Sequence, residues 1–499
     1  MSDNSVIIIG AGLAGLASGC FAQLNGYRSH IFEHHSQPGG VAAWWKRGDY
    51  LIDGGIHFLM SHKPGTALYD LYHILGILPG TAVVEIDTFG RFIHEPGDRQ
   101  IELTADLDGL ARDLKSLSPA DAQLVDELIA GARAMQGLDM STMGMGRPPE
   151  IAGPLDQLRE LWSMRRLLRY VVGKYGRSVA AYTRDAHDPV LADFLKRLFL
   201  PGVPVFFIMM LLALLADGEL ALLAGGCHDL VKAMENRYLD LGGEIAYRAR
   251  VEEILVEDDR AVGVRLAGEA AGTQHRAGAV ISAADGRSTI FDMLDGRYVD
   301  AKIRARYANW PRFRPLLMIS YGVARDLSGE PPFVTLLLDE PLHVAGHDLR
   351  TIMVRAFGYS RRFAPPGKGV IQIEFETEWD YWHDLRCDDR ARYDAEKARV
   401  ARDALDRLEA HHPGISAQVE VTDVATPYAT WRYTRNDRGA WEGWLMTPEA
   451  MRTTLERTLP GLSDFYMAGQ WVMPGGGVPP VLYSGQHAVQ LLCRRDGKA

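Results

Sequence analysis

Apolar and polar positions along this chain fall into two periods, and the first switch between them comes at once. Val6 to Gly10 is a fully apolar run of strand length, and Leu16 to Leu24 follows with helical spacing. His30-Ile31-Phe32 reads as a second short strand. A similar order closes the chain: a short buried strand from Phe465 ends in Ala468-Gly469, and an apolar helix pattern runs on through Cys493. Between these ends, residues 315–323, 332–339, 350–357 and 369–378 alternate or run apolar between Pro and Gly, which predicts an antiparallel sheet. A charged amphipathic helix is expected from about 390 to 411. Residues 81–216 are mostly helical by pattern, with a Gly/Pro/Met-rich loop at 137–154.

Two stretches bear on membranes. Leu200–Ala216 carries no charge over 17 residues and has Pro201, Gly202 and Pro204 in its first turn. It is short for a span, and the expectation is a buried helix lining a cavity, with Phe206 and Met210 in the wall. Leu155–Arg177 sets apolar residues along one face, with six Lys/Arg against Asp156 and Glu160. That pattern fits a helix lying on an anionic bilayer, and it fits a core helix with a solvated face equally well.

The chemistry is written in the glycines. Gly10-Ala11-Gly12-Leu13-Ala14-Gly15 joins the first strand to the first helix, and Glu33 ends the second strand. In a βαβ unit, Gly10 allows the tight turn and Gly12 lets backbone approach a pyrophosphate. Gly15 lets helix and strand pack closely, and the acid accepts hydrogen bonds from a ribose. The helix start favours the phosphates' negative charge, so a bound dinucleotide is expected. Gly39-Gly40 and the turn Asp53-Gly54-Gly55-Ile56-His57 suit a cofactor extended beyond its AMP half. Gly469-Gln470-Trp471 and Pro474-Gly475-Gly476-Gly477-Val478-Pro479-Pro480 expose a second glycine-rich helix start, able to stabilise negative charge on a reduced flavin ring. Two such starts at opposite ends of one chain favour a single extended FAD over two ligands. No second GxGxxG appears, which argues against a separate NADPH site.

Gly10–Glu33, Gly39-Gly40 with Asp53–His57, and Met467–Gln486 together resemble the phytoene desaturase and carotenoid isomerase family of flavoproteins, within the amine oxidase and GDP-dissociation-inhibitor fold group. The resemblance spans nearly the whole chain. It implies that Val251 holds the adenine through its backbone, and that the turn Ser282-Ala283-Ala284-Asp285 closes over the cofactor. Many members carry Gly-Gly-Arg where this chain has Gly39-Gly40-Val41, so Arg47 is the candidate to meet the pyrophosphate, or backbone alone does so. The implied fold is α/β: a Rossmann-like FAD-binding domain of the glutathione-reductase-type βαβ kind, interleaved with an α+β substrate domain holding an antiparallel sheet and a helical lobe. By this reading residues 1–80, 217–298 and 455–499 form the FAD domain, 81–216 the helical lobe and 299–454 the substrate sheet and helices.

A flavin that takes hydride from a polyene needs orientation, an apolar tunnel and at most one base. His57 is a candidate base or flavin contact, with a purely structural role as the alternative; Tyr433 is a second candidate for proton handling. Trp431 and Trp441 are candidates for the tunnel wall, although core packing explains them equally; Trp471, with Gln470, is expected to shape the substrate and ring pocket. The expected reaction is desaturation of a carotenoid-like or isoprenoid substrate. Isomerisation or saturation of a polyene, amine oxidation, and a non-catalytic prenyl-binding role are the rivals.

Composition narrows this further. With 499 residues, 47% hydrophobic and 24% charged, the chain suits two or three lobes of a globular enzyme. A net charge of −10 argues against nonspecific nucleic-acid binding. Four scattered cysteines read as reduced thiols, and no His or Cys spacing suggests a metal site. The first strand begins too early for a signal peptide. The expectation is a cytoplasmic protein, peripheral on the inner membrane face if the basic helix docks there; oligomeric state stays open.

Overall fold

The computed structural model describes residues 4–139, 146–163, 170, 173–198, 200–268 and 272–498. A parallel five-stranded sheet forms one half, in the order Glu244–Ala246, Arg28–Phe32, Ser5–Ile9, Ala279–Ser282, Phe465–Met467. The strands Ser5–Ile9, Ala279–Ser282 and Phe465–Met467 are apolar on both faces because both faces are covered. Val6 and Ile8 point toward the helices Leu13–Leu24, Gly226–Asp240 and Val478–Arg495. Ile7 and Ile9 point the other way, onto the three-stranded sheet that contains Val251–Glu257 and Arg260–Leu266.

Gly10 leaves the first strand with φ +97°, a conformation glycine adopts without steric cost. A Cβ on Gly15 would stand 1.9 Å from the Gly10 carbonyl oxygen, so the helix can sit this close to the strand only with glycine there.

The second half is a seven-stranded sheet, ordered Val419–Ala425, Leu316–Val323, Gly369–Glu376, His347–Ala356, Phe333–Val344, Thr88–His94, Arg99–Thr104. All neighbours are antiparallel except Phe333–Val344 with Thr88–His94. Ile319, Val354, Ile371 and Ile373 pack on the helices Trp379–Asp388 and Arg390–His411. Alternate residues on the same strands, among them Met353, Arg355, Gln372 and Glu374, face the opposite side by the period of two.

From Leu107 onward the region 81–216 is mostly helical, as expected, but its first part is not. Val83–Glu85, Thr88–His94 and Arg99–Thr104 are strands. The last two are short and polar on one face, so their stability comes from pairing with Phe333–Val344, about 240 residues away (Val334 faces Arg91), and not from a local pattern. The apolar stretch before residue 217 forms the helix Phe206–Ala216, starting after Pro204. Of the basic amphipathic stretch, Pro154–Ser163 is helical, while 164–169 and 171–172 lie outside the described residues. Among the described residues, no helix is long and apolar enough to cross a membrane.

Candidate active site

The two halves enclose one continuous cavity of about 1780 Å³. Its first section is backbone. Gly10, Gly12, Leu13 and Ala14 line it, and Gly39 and Gly40 close it from the other side, Gly39 pairing with Gly12 in an isolated bridge. The helix Leu13–Leu24 starts at Gly12 with no side-chain cap and no acidic residue in its first turn. Its orphan N–H groups are left for a ligand, as an anion-binding helix start requires.

Glu33 stands beside them, buried, its Oε2 accepting from Ala11 N–H (2.6 Å) and Oε1 from His35 N–H (2.7 Å). Burial raises its pKa, while the His35, Ala11 and His34 backbone N–H groups pull it back down. Val251, Ala283, Ala284 and Asp285 line this same section. Asp285 is fully enclosed, which pushes it up to about 6 against the N–H groups of Ser288 and Asp437.

Further along, Gly55, Ile56 and His57 form one wall, and Gly469, Gln470, Trp471, Gly477, Val478 and Pro479 the other. Gly54 does not line the cavity. A Cβ there would stand 2.8 Å from the Trp45 ring and 3.0 Å from the Ala43 oxygen, so Gly54 serves the tight turn. Gly15 is likewise a packing glycine.

Glu442 belongs to this end as well, and its chemistry was not read from the sequence. Its Oε1 accepts from Gly477 N–H (2.8 Å), and a Cβ on Gly476 would fall 1.8 Å from Oε2. The carboxyl lines the cavity, and burial pushes it up to about 8 against that one N–H.

The cavity then widens into an apolar chamber. Phe206, Phe207, Met210 and Leu214 come from the helix Phe206–Ala216, and Phe333, Leu337 and Met353 from the seven-stranded sheet. His57 sits where the sections meet, edge-on to Trp441 (5.3 Å) and Phe333 (5.8 Å). Beneath it is a buried charge network. His57 Nε2 lies 3.0 Å from Glu374 Oε2, and Arg355 Nη1 donates to Glu374 Oε1 at 2.9 Å. Arg355 Nη2 donates to the Ile56 carbonyl (3.1 Å) and stands 3.6 Å from Asp53 Oδ1. Burial would raise Glu374, but the Arg355 charge and the hydrogen bonds from His57 and Arg355 hold it down at about 2. Burial would lower Arg355, yet Glu374 and Asp53 raise it.

Three expectations need correction. Arg47 does not line the cavity; half-exposed, it pairs with Asp423 at 2.6 Å on the outer surface. Positive charge near the ribose acid comes instead from Arg250 and Arg435, which line the cavity and act on His34. Tyr433 is 49% exposed and stacks edge-on to His35 at 5.0 Å, at the ribose-acid end, so its phenol is not grouped with His57. Trp431 lines the cavity from the same helix, Pro427–Thr434, under the Arg435 guanidinium (4.6 Å), away from the phenylalanines of the apolar chamber. Trp441 does stand there. Trp471 lines the cavity edge but is 3% exposed and packs with Trp444 and Tyr307.

A bare glycine cradle, a buried acid beside it and a chamber opening beyond them fit a dinucleotide-dependent oxidoreductase. Residues 8–75 match the family model of an NAD(P)-binding Rossmann-like domain. Over its full length the chain is similar to carotenoid isomerases and phytoene desaturases. It is 24% identical to prolycopene isomerase of Arabidopsis thaliana (96% of this chain, 81% of that protein). It is 26% identical to the lycopene-forming phytoene desaturase of Pseudescherichia vulneris (98% and 99%). Among solved structures, an oxidoreductase from Methanosarcina mazei superposes with a TM-score of 0.64 at 16% identity, covering 97% of this chain and 100% of that one.

Proposed function

We propose that the protein is a FAD-dependent oxidoreductase that desaturates an elongated apolar substrate of the carotenoid or isoprenoid class. The observation that carries this reading is the single cavity of about 1780 Å³, glycine-lined at one end and apolar at the other. Ordinary ligand pockets run from about 300 to 1,000 Å³, so this volume suits a dinucleotide together with a long second ligand. The cradle fits FAD: two uncapped glycine-rich helix starts and a buried acid sit along one channel. Bound there, FAD supplies a two-electron acceptor for hydride from carbon.

The chain's own residues do the remainder. Gly12, Leu13 and Gly39 hold the pyrophosphate, Glu33 the ribose and Val251 the adenine. Phe206, Met210, Phe333 and Trp441 exclude water and hold an extended chain against the ring. The substrate comes from a membrane surface, where the helix Pro154–Ser163 presents Leu155, Leu158 and Trp162, 81%, 62% and 65% exposed.

The test is anaerobic. Mixing the FAD-loaded protein with partly saturated polyenes in vesicles should bleach the flavin and lengthen the polyene's absorption. Flavin that stays oxidised across a panel of such substrates, yet bleaches with amines, would replace this reading with amine oxidation.

A further inference from the structure

The geometry assigns Glu374 as the positioning residue that makes His57 a base, with Nδ1 as the atom that takes the substrate's proton. This deepens the flavin reading above and rests on it. Glu374 lies 2% exposed in the middle of a strand, on the face opposite Ile371 and Ile373. Arg355, 3% exposed, holds one carboxylate oxygen, and His57 Nε2 holds the other. An ionised carboxylate only accepts hydrogen bonds, so Nε2 must carry a hydrogen. A neutral His57 ring is thereby fixed as the tautomer with its lone pair on Nδ1, for which no protein partner occurs among the described residues. The other ionisable groups packed around the pair are Asp53, Cys227 and Tyr359, with Glu442 following Trp441 on the facing loop. Asp53 is engaged by the Gly55 and Cys227 N–H groups, and the Cys227 thiol is held neutral by burial. Arg355 is therefore tied both to Glu374 and to the Asp53 turn that carries His57.

In the step, two adjacent C–H bonds break and a C=C bond forms. One hydrogen leaves with its electron pair to oxidised flavin, and the other leaves as a proton to His57 Nδ1. The imidazolium so formed faces an ionised Glu374 and is stabilised by it, an arrangement that generalises the base-and-orienter logic of catalytic dyads.

The test uses ¹⁵N-histidine-labelled, FAD-loaded protein, with the His57 signals assigned by their loss in His57→Gln. The wild type should show the Nε2–H tautomer, and an Nδ1–H tautomer overturns the proposal without any carboxylate variant. Glu374→Gln should release the ring, bringing the Nδ1–H tautomer up beside Nε2–H, and slow anaerobic flavin bleaching roughly 10- to 100-fold, with Glu374→Asp recovering part of both. An unchanged tautomer and bleaching rate with normal flavin content overturns the proposal. A protein that binds no FAD overturns the cofactor reading instead, and the tautomer result then still decides the role of Glu374.

Discussion

The two glycine-rich helix starts look alike in sequence and are built differently. At Gly12 the carboxylate alongside, Glu33, accepts N–H groups from both Ala11 and His35, and the cap itself is bare. At Gly477 the carboxyl alongside, Glu442, takes one N–H from the helix start, and its pKa is about 8. Burial raises both acids; the number of backbone donors decides how far. The first start is thus arranged for a ligand's hydroxyls and phosphates. The second faces a carboxyl that burial pushes up to about 8 against a single N–H. A glycine-rich turn in a sequence therefore specifies close approach, and the facing side chains decide which charge it meets.

The largest effect that separates the two ends is Gly12→Glu. A carboxylate forced onto the bare cap meets the pyrophosphate and should weaken dinucleotide binding by at least roughly 100-fold. Flavin content after purification measures this, and normal content would contradict the site. Next, Glu33→Gln replaces the acid proposed to hold the ribose hydroxyls, and it should cost about 1–3 kcal/mol in FAD affinity, by titration calorimetry.

Glu442→Gln acts through pH. The native group keeps its proton to about 8 whereas an unfolded glutamic acid loses it near 4.5, so the native state binds more protons across that interval. Wild-type stability should therefore fall as pH rises from 4.5 to 8 and level off above. The variant's denaturation midpoint should lose this slope, and an unchanged slope would show that Glu442 is not the group responsible. The smallest effect belongs to Arg47→Ala. An exposed pair with Asp423 is worth about 0–1 kcal/mol, and FAD affinity should stay within about twofold.

What the sequence made legible follows from local rules. Gly10 to Glu33 declares itself because turn, helix start and acid have fixed spacing. The helix Phe206–Ala216 and the strands from Leu316 to Glu376 declare themselves through length and apolar content. The strands Thr88–His94 and Arg99–Thr104 stayed hidden because their stability is non-local. Glu374 and Arg355 were missed for a related reason: they sit on different strands far from His57 in sequence, and only three-dimensional pairing joins them to it. A signal was nonetheless present. Ser320, Arg355, Gln372 and Glu374 are polar at alternate positions of otherwise apolar strands, which marks a sheet face turned toward something other than hydrocarbon. Arg47 misled because sequence proximity to Gly39-Gly40 says nothing about which side of a hairpin its side chain takes.

The measurement that tests the central claim most directly is the absorption spectrum of the purified protein, with the released chromophore weighed by mass spectrometry. The account predicts bands near ~450 nm and the mass of FAD. A protein that stays colourless after incubation with FAD would contradict it, and would leave the cradle to another dinucleotide or to none.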